Sequence, residues 1–295
     1  MRVVVTGGLG FIGAWTARVL LEGGHTVRVF DVHADRVLFD QLVGPSAHAV
    51  EVVTGDITDP DAVLRAMEGC EAVVHLAAVL VPTARKDPLL GARVNVLGTL
   101  HVFEAAKQHG VRGIAYASSA AVFGPHDGVH PEPITQYGAF KLCNEGSARA
   151  YWEDAGVPSI GLRPSTVYGP GRSLGVTADP TLAMRAAAEG TPYTIRFTGA
   201  TGMDFARDVA TIFARAATET PDGAHAFSLQ GQLATVAEVL AAIKEIVPDA
   251  VVDADGPELM FAAQVDEAPL HAALPGLART SLLEGTRETI AFYRR

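Results

Sequence analysis

Tyr137 and Lys141 stand four apart in Tyr-Gly-Ala-Phe-Lys, a spacing that puts both side chains on one face of a helix, one turn apart. Alone, the pair describes any packed tyrosine beside a lysine. Its chemical use would be at an alcohol. Loss of hydride from a carbinol carbon requires the hydroxyl proton to leave, so a base must touch that oxygen. A free tyrosine, with pKa about 10, is a poor base at neutral pH. A neighbouring ammonium favours the phenolate and brings it nearer the working pH. Ser119 lies upstream in Tyr116-Ala117-Ser118-Ser119-Ala120-Ala121-Val122-Phe123-Gly124, at the carboxyl end of an expected strand. Its hydroxyl would hydrogen-bond the reacting oxygen as charge develops there. Ser119, Tyr137 and Lys141 are the expected catalytic set.

Such a set needs a hydride carrier, and the N-terminus supplies a place for one. Val3-Val4-Val5-Thr6-Gly7-Gly8-Leu9-Gly10-Phe11-Ile12-Gly13 runs from a strand into a helix. Gly7, Gly10 and Gly13 permit the tight turn, close backbone approach to a pyrophosphate and close helix-on-strand packing. Phe11 and Ile12 open a helix whose free N–H groups and dipole favour phosphate. Asp31 ends the second strand, where its carboxylate suits the two adenosine ribose hydroxyls and repels a 2′-phosphate. The expected cofactor is NAD; Arg36, near in sequence, leaves NADP as the alternative. Asp56, Ile57, Leu76, Ala77 and Ala78 follow the third and fourth strands and are expected along the adenine and ribose part of the crevice.

These groups must be carried by a regular scaffold, and the periodicities describe one. Strands are expected at Arg2 to Val5, His25 to Phe30, Ala49 to Val53, Ala72 to His75, Gly113 to Ala117 and Ser159 to Leu162. Helices are expected at Phe11 to Glu22, up to Met67 from the Thr58-Asp59-Pro60 start, Asp87 to Lys107 and Ile134 to Gly156. The alternation implies right-handed crossovers and a doubly wound parallel sheet of Rossmann type, with ligands beyond the carboxyl ends of the strands. After about residue 170 the pattern weakens into helices at Pro180 to Glu189, Ala206 to Thr218, Val236 to Ile246 and Leu282 to Tyr293. The expected division is an NAD-binding domain over 1–168 and a smaller α/β substrate lobe over 169–295, partly interleaved with it.

Composition narrows the partners. A chain of 295 residues with 48% hydrophobic and 19% charged residues can bury a large core and is no disordered segment. A net charge of −10 gives no reason to expect nucleic acid or an anionic membrane as partner. Cys70 and Cys143 fit neither a disulfide framework nor a metal spacing, so both are expected as buried small hydrophobes and no metal is expected. With no signal-peptide pattern and no apolar run near ~20 residues, the reading is cytoplasmic.

At this point the sequence resembles the extended short-chain dehydrogenase/reductases, the NAD-dependent epimerase/dehydratase family. The resemblance runs from Arg2 to about Pro170, through Thr6 to Gly13, Asp31, Asp56-Ile57, His75 to Ala78, Asp87 to Thr99, Ser118-Ser119, Tyr137 to Lys141 and Arg163 to Pro170, with a fainter echo at Leu283 to Arg294. It implies NAD across the first lobe, with Pro164 at the cofactor, Lys141 on the nicotinamide ribose, Asn95 supporting the catalytic geometry and substrate under the second lobe. It also implies a homodimer through the two long helices.

Three departures narrow the reaction. Ser119-Ala120-Ala121 stands where sugar-nucleotide dehydratases resemble Thr-Asp-Glu, and alanines cannot supply the acid and base of an elimination. Thr166 stands where nucleotide-sugar epimerases carry an asparagine on the substrate diphosphate, and Pro164 where many have an aromatic residue. Met203-Asp204-Phe205 lacks the arginine expected before Asp204. These losses favour a smaller substrate: a sugar, sugar acid or similar polyol-like alcohol. Expected contacts are Ser119, Thr166, Thr83, His126 and Arg172; Arg185, Arg196 and Arg207 could also pair with a carboxylate or phosphate. A dehydrogenase releasing NADH, an epimerase retaining NAD and a non-catalytic dinucleotide-binding regulator are the readings that remain.

Overall fold

The computed structural model describes residues 1–125, 127–259 and 264–294. Its strands are Arg2–Thr6 (β1), Thr26–Asp31 (β2), Glu51–Thr54 (β3), Ala72–His75 (β4), Gly113–Ala117 (β5), Ser159–Arg163 (β6), Thr166–Tyr168 (β7), Tyr193–Ile195 (β8), Ala200–Phe205 (β9), Ala224–Ser228 (β10), Gln232–Thr235 (β11) and Val252–Ala254 (β12). Seven form one parallel sheet in the order β10-β6-β5-β4-β1-β2-β3. This is the doubly wound sheet expected from the sequence. Val3, Val4 and Val5 are wholly buried, as a central parallel strand covered on both faces requires.

The covering layers divide the core in two. On one face Phe11–Glu22 packs against Ala206–Thr218, burying Trp15, Leu20, Val209 and Phe213 over β1. On the other, Met67, Val102, Phe103 and Tyr116 join Pro60–Met67, Gly98–His109 and Gln136–Ala155 over β4 and β5. Strand order reverses between β1 and β4, and the crevice at their carboxyl ends is where a doubly wound fold binds ligands. A smaller mixed sheet, β11-β9-β7, and the pair β12-β8 share a third core with helices Asp179–Glu189, Val236–Ile246 and Leu282–Tyr293.

The elements differ from expectation where tertiary contacts set local structure. Asp87 to Lys107 is not one regular helix. Asp87 caps Pro88–Ala92 by accepting the Leu90 N–H, Arg93–Leu97 form a wide turn, and Gly98–His109 resume the helix. The Asn95 side chain accepts the Val79 N–H at 2.8 Å and donates to the Val79 carbonyl at 2.9 Å. The Asn95 carbonyl accepts from Asn144 and Thr99, giving the widened turn partners outside the helix ladder. β10 belongs to the central sheet although Ala-His-Ala-Phe-Ser has little strand propensity; its place at the edge comes from pairing with β6. Cys70 is buried as expected, but Cys143 is exposed. It lies two positions from buried Lys141 on the same helix, about 200° around the axis.

Candidate active site

The glycine loop is built for close approach. Gly7 has φ +67° and donates to the Phe30 carbonyl at 2.8 Å; a Cβ there would lie 2.7 Å from the Ala77 nitrogen. A Cβ at Gly13 would run into the Gly7 carbonyl, so the helix rests directly on the turn. At Gly10 a Cβ would meet only the Gly7 carbonyl and would otherwise fill the crevice that the missing side chain leaves open. The helix from Phe11 has no side-chain cap and no acidic residue in its first turn, so its free N–H groups suit an anion. Asp31 is held by the same loop, accepting the Leu9 N–H at 3.0 Å and the His33 N–H at 3.1 Å. Arg36 is engaged by Asp40 at 3.1 Å and the Ala47 carbonyl at 2.8 Å, and Arg28 by Glu51 and the carbonyls of Ala66 and Glu68. The cradle fits NAD.

One continuous cavity of about 420 Å³ runs from this loop to Ser119, Tyr137 and Lys141. Ser119 ends the segment after β5 and caps the turn Ala120–Val122 by accepting the Ala121 N–H at 3.2 Å. Tyr137 lies in the first turn of Gln136–Ala155, started by Thr135 accepting the Gly138 N–H. The Ser119 hydroxyl lies beside the Tyr137 phenol and favours its phenolate. Lys141 donates to the Ala117 carbonyl at 2.6 Å, with its nitrogen 5.5 Å from the Tyr137 ring centre. Burial pushes the Tyr137 phenol up to about 12, against Arg172 and the Ser119 hydroxyl, which favour the phenolate. Burial also brings Lys141 down to about 8. Arg172 is thus a second cation beside Tyr137, in addition to the Lys141 to which the sequence pointed.

Leu76, Ala78, Pro164, Thr166 and Arg172 line the same cavity. Ala77 packs against Gly7, and its N–H reaches the Thr6 hydroxyl at 3.4 Å. Asn95 is buried beneath, tied to Val79. Ile57 is core, packed against Gly98, while Asp56 is exposed and accepts the Thr58 N–H and hydroxyl. Thr83 is exposed and outside the lining, because Val81–Lys86 forms a helix that presents Val81 to the cavity. His126 lies outside the described residues. Arg185, Arg196 and Arg207 are engaged by Glu189, Asp179 and Glu22, so of the four arginines proposed for substrate only Arg172 faces the cleft.

The family model described as the NAD dependent epimerase/dehydratase family matches residues 3–229. The chain belongs to that family. Among similar proteins, 3 beta-hydroxysteroid dehydrogenase type 7 of Mus musculus is 32% identical over 193 residues, 58% of this chain and 51% of that protein. Uronate dehydrogenase of Pseudomonas syringae pv. tomato is 30% identical over 169 residues, 55% of this chain and 58% of that protein. These matches span little more than half the length of the relatives themselves. The crystal structure of a Thermus thermophilus UDP-glucose 4-epimerase complexed with NAD superposes with a TM-score of 0.84 at 28% identity, covering 100% of this chain and 99% of that one. Among the described residues, no helix is long and apolar enough to cross a membrane, and no cluster of three or more potential metal ligands is present.

Two polar groupings in this family member escaped the sequence reading. Glu145, one turn beyond Lys141, accepts from Arg163 at 2.7 and 2.6 Å and from the Ser118 hydroxyl at 2.5 Å. It ties the end of β5 to the end of β6 beneath the site. Asp204 at the end of β9 is wholly buried and accepts the N–H of Ser165, a residue of the cavity wall, at 2.8 Å; its Oδ1 has no partner among the described residues. Burial raises its carboxyl to about 7, with Arg279 opposing and Asp208 reinforcing the shift. A pKa raised in the native state means the native protein holds the proton more tightly than the unfolded chain does. That stabilisation is full below the unfolded value near 4 and is lost as pH rises through about 7. Asp204→Asn cannot ionise, so its unfolding free energy should gain on the parent's by up to about 3 kcal/mol between pH 5 and pH 8. Denaturant melts at the two values check this; a constant difference between variant and parent refutes it.

Proposed function

We propose that this protein is an NAD-dependent oxidoreductase transferring hydride at a secondary alcohol of a sugar, sugar acid or similar polyol-like small molecule. The observation that carries the reading is one cleft that holds both the Gly7–Gly13 cradle and the Ser119, Tyr137 and Lys141 side chains. In it, Gly10 to Gly13 would hold the pyrophosphate, Asp31 the adenosine ribose, and Lys141 the nicotinamide ribose. NAD, when bound, supplies the hydride acceptor and a positive ring beside the alcohol. Tyr137 takes the hydroxyl proton at its phenolic oxygen, Ser119 donates to the same substrate oxygen, and Lys141 and Arg172 favour the charged phenolate. The short walls at Pro164 and Thr166 suit a small substrate.

The test is absorbance at the NADH band while the purified protein and NAD meet free sugars, sugar acids and polyols. We expect NADH to form with NAD and much less with NADP, since Arg28 and Arg36 are already engaged. Similarity over the whole chain to a UDP-glucose 4-epimerase supports a second reading, an epimerase that oxidises and re-reduces one carbon. Cofactor that stays bound through purification, UDP-sugar interconversion and a silent panel would favour it. A dinucleotide-binding regulator is the third reading, and it gives the half-buried Tyr137 and the buried Lys141 no task. A homodimer through the long helices belongs with the leading reading, supported by Leu89 and Leu97, which they leave exposed.

A further inference from the structure

We propose that Arg172 anchors an anionic group of the substrate, a carboxylate on the molecule whose alcohol meets Tyr137. The proposal rests on the oxidoreductase reading and narrows it to hydroxy acids, sugar acids among them, over neutral sugars and polyols. It stands on charge accounting within the cleft. Among the described residues that line it there is no acidic side chain, and the two cations are Lys141 and Arg172. Lys141 is met by the Ala117 carbonyl. Arg172 has no ion pair among the described residues; its hydrogen bond is a long one to the Thr177 hydroxyl, 3.5 Å, and its buried Nε has no partner. The protein as a whole carries a net charge of −10, so an unpaired guanidinium in this cleft does not follow from composition. A partly desolvated charge without a partner is costly, and an oxyanion relieves that cost with charge-assisted hydrogen bonds.

Position says which anion. Gly175, at φ +103°, brings its backbone against the guanidinium: a Cβ there would lie 2.9 Å from Arg172 Nη2 and 3.6 Å from Leu80 Cδ1. On its other side the guanidinium lies 5.7 Å from the Phe11 ring centre, and its charge is felt at Tyr137. The guanidinium therefore stands in the cleft between the start of the Phe11 helix and Tyr137. A carboxylate and a carbinol within one small molecule can reach both Arg172 and Tyr137. The cofactor pyrophosphate offers the same oxyanion chemistry, but the helix N-terminus at Phe11 already serves it. A nucleotide-sugar diphosphate is the remaining source, and the experiment separates all three.

Matched pairs that differ only in the charged group are compared on the full chain with NAD: galacturonate with galactose, glucuronate with glucose, and 3-hydroxybutyrate with its methyl ester. The acid should be preferred in at least one pair. In Arg172→Gln the acid-to-neutral ratio of kcat/KM should fall on the order of 100-fold, mainly through KM, and Arg172→Lys should recover part of it. The NAD dissociation constant, measured by calorimetry, should change by less than about threefold. Equal or better use of the neutral members, with NADH formed, overturns the anchor and leaves the oxidoreductase reading intact. NAD binding that weakens as much as acid turnover assigns Arg172 to the pyrophosphate. Turnover of UDP-galactose that depends on Arg172, without acid turnover, assigns it to a diphosphate. If no pair yields NADH the oxidoreductase reading fails first. Calorimetry of each acid against the NADH-loaded protein then decides for Arg172, and absence of binding overturns the anchor.

Discussion

Tyr137→Phe lowers kcat/KM for alcohol oxidation by about 10²- to 10⁴-fold, the range supplied by a positioned acid or base. The substitution removes one oxygen and keeps the ring, so packing at the start of Gln136–Ala155 is retained and the loss reads chemistry. The phenol lies in the cavity beside Ser119, where burial holds it mostly protonated at neutral pH. The phenolate fraction rises tenfold per unit below its pKa, so oxidation should accelerate with pH. Lys141 loses its charge as pH rises through about 8, which weakens the field on the phenolate, so the rise should flatten there. Removing the Arg172 charge should move the rising limb to higher pH, because that cation lowers the Tyr137 pKa. Steady-state rates from pH 6 to 10 for parent and variants test these points. A Tyr137→Phe protein with near-parental turnover would assign the proton to another group and undo the proposed mechanism.

What was legible in the sequence follows from how local its causes are. Gly7, Gly10 and Gly13 announce a strand-to-helix turn because only glycine allows those approaches, and Asp31 lies one helix and one strand later in the same unit. The boundaries of β4, β5 and the helices Phe11–Glu22, Ala206–Thr218, Val236–Ile246 and Leu282–Tyr293 could be read from periodicity and from their flanking residues. The misses are decided at a distance. β10 is a strand only because β6 offers an edge, and the wide turn at Arg93–Leu97 exists because Val79 and Asn144 meet Asn95. Arg172 and Arg196 look alike as letters, yet one faces the cleft and the other is bound to Asp179, 17 residues away. No spacing rule links Glu145 on a helix to Arg163 on a strand. Their meeting is a product of the parallel sheet that brings β5 beside β6.

Glu145→Ala should cost about 3–5 kcal/mol of stability, the effect of leaving one member of a buried ion pair without its partner. Both side chains are largely shielded from water, with 15% of Arg163 and 9% of Glu145 exposed. The variant removes both acceptors of the bidentate pair and the acceptor of the Ser118 hydroxyl. Arg163 keeps its place over the Phe123 ring, 5.0 Å away, but a ring face returns only about 0.5–2 kcal/mol. For a chain of this size each kcal/mol moves Tm by about 2–4 °C, so the midpoint should fall by roughly 10 °C. The double variant Glu145→Leu with Arg163→Met should recover most of the loss, because it removes the stranded charge along with its partner. That recovery separates the cost of an unpaired guanidinium from simple loss of packing. The double variant should still turn over slowly, since Ser118 and Arg163 adjoin Ser119 and Pro164 in the cleft and would no longer be tied together. Paired denaturant melts and steady-state rates distinguish the two effects. A single variant within about 1 kcal/mol of the parent would mean that water reaches Arg163 and that the pair does not hold the two strand ends together.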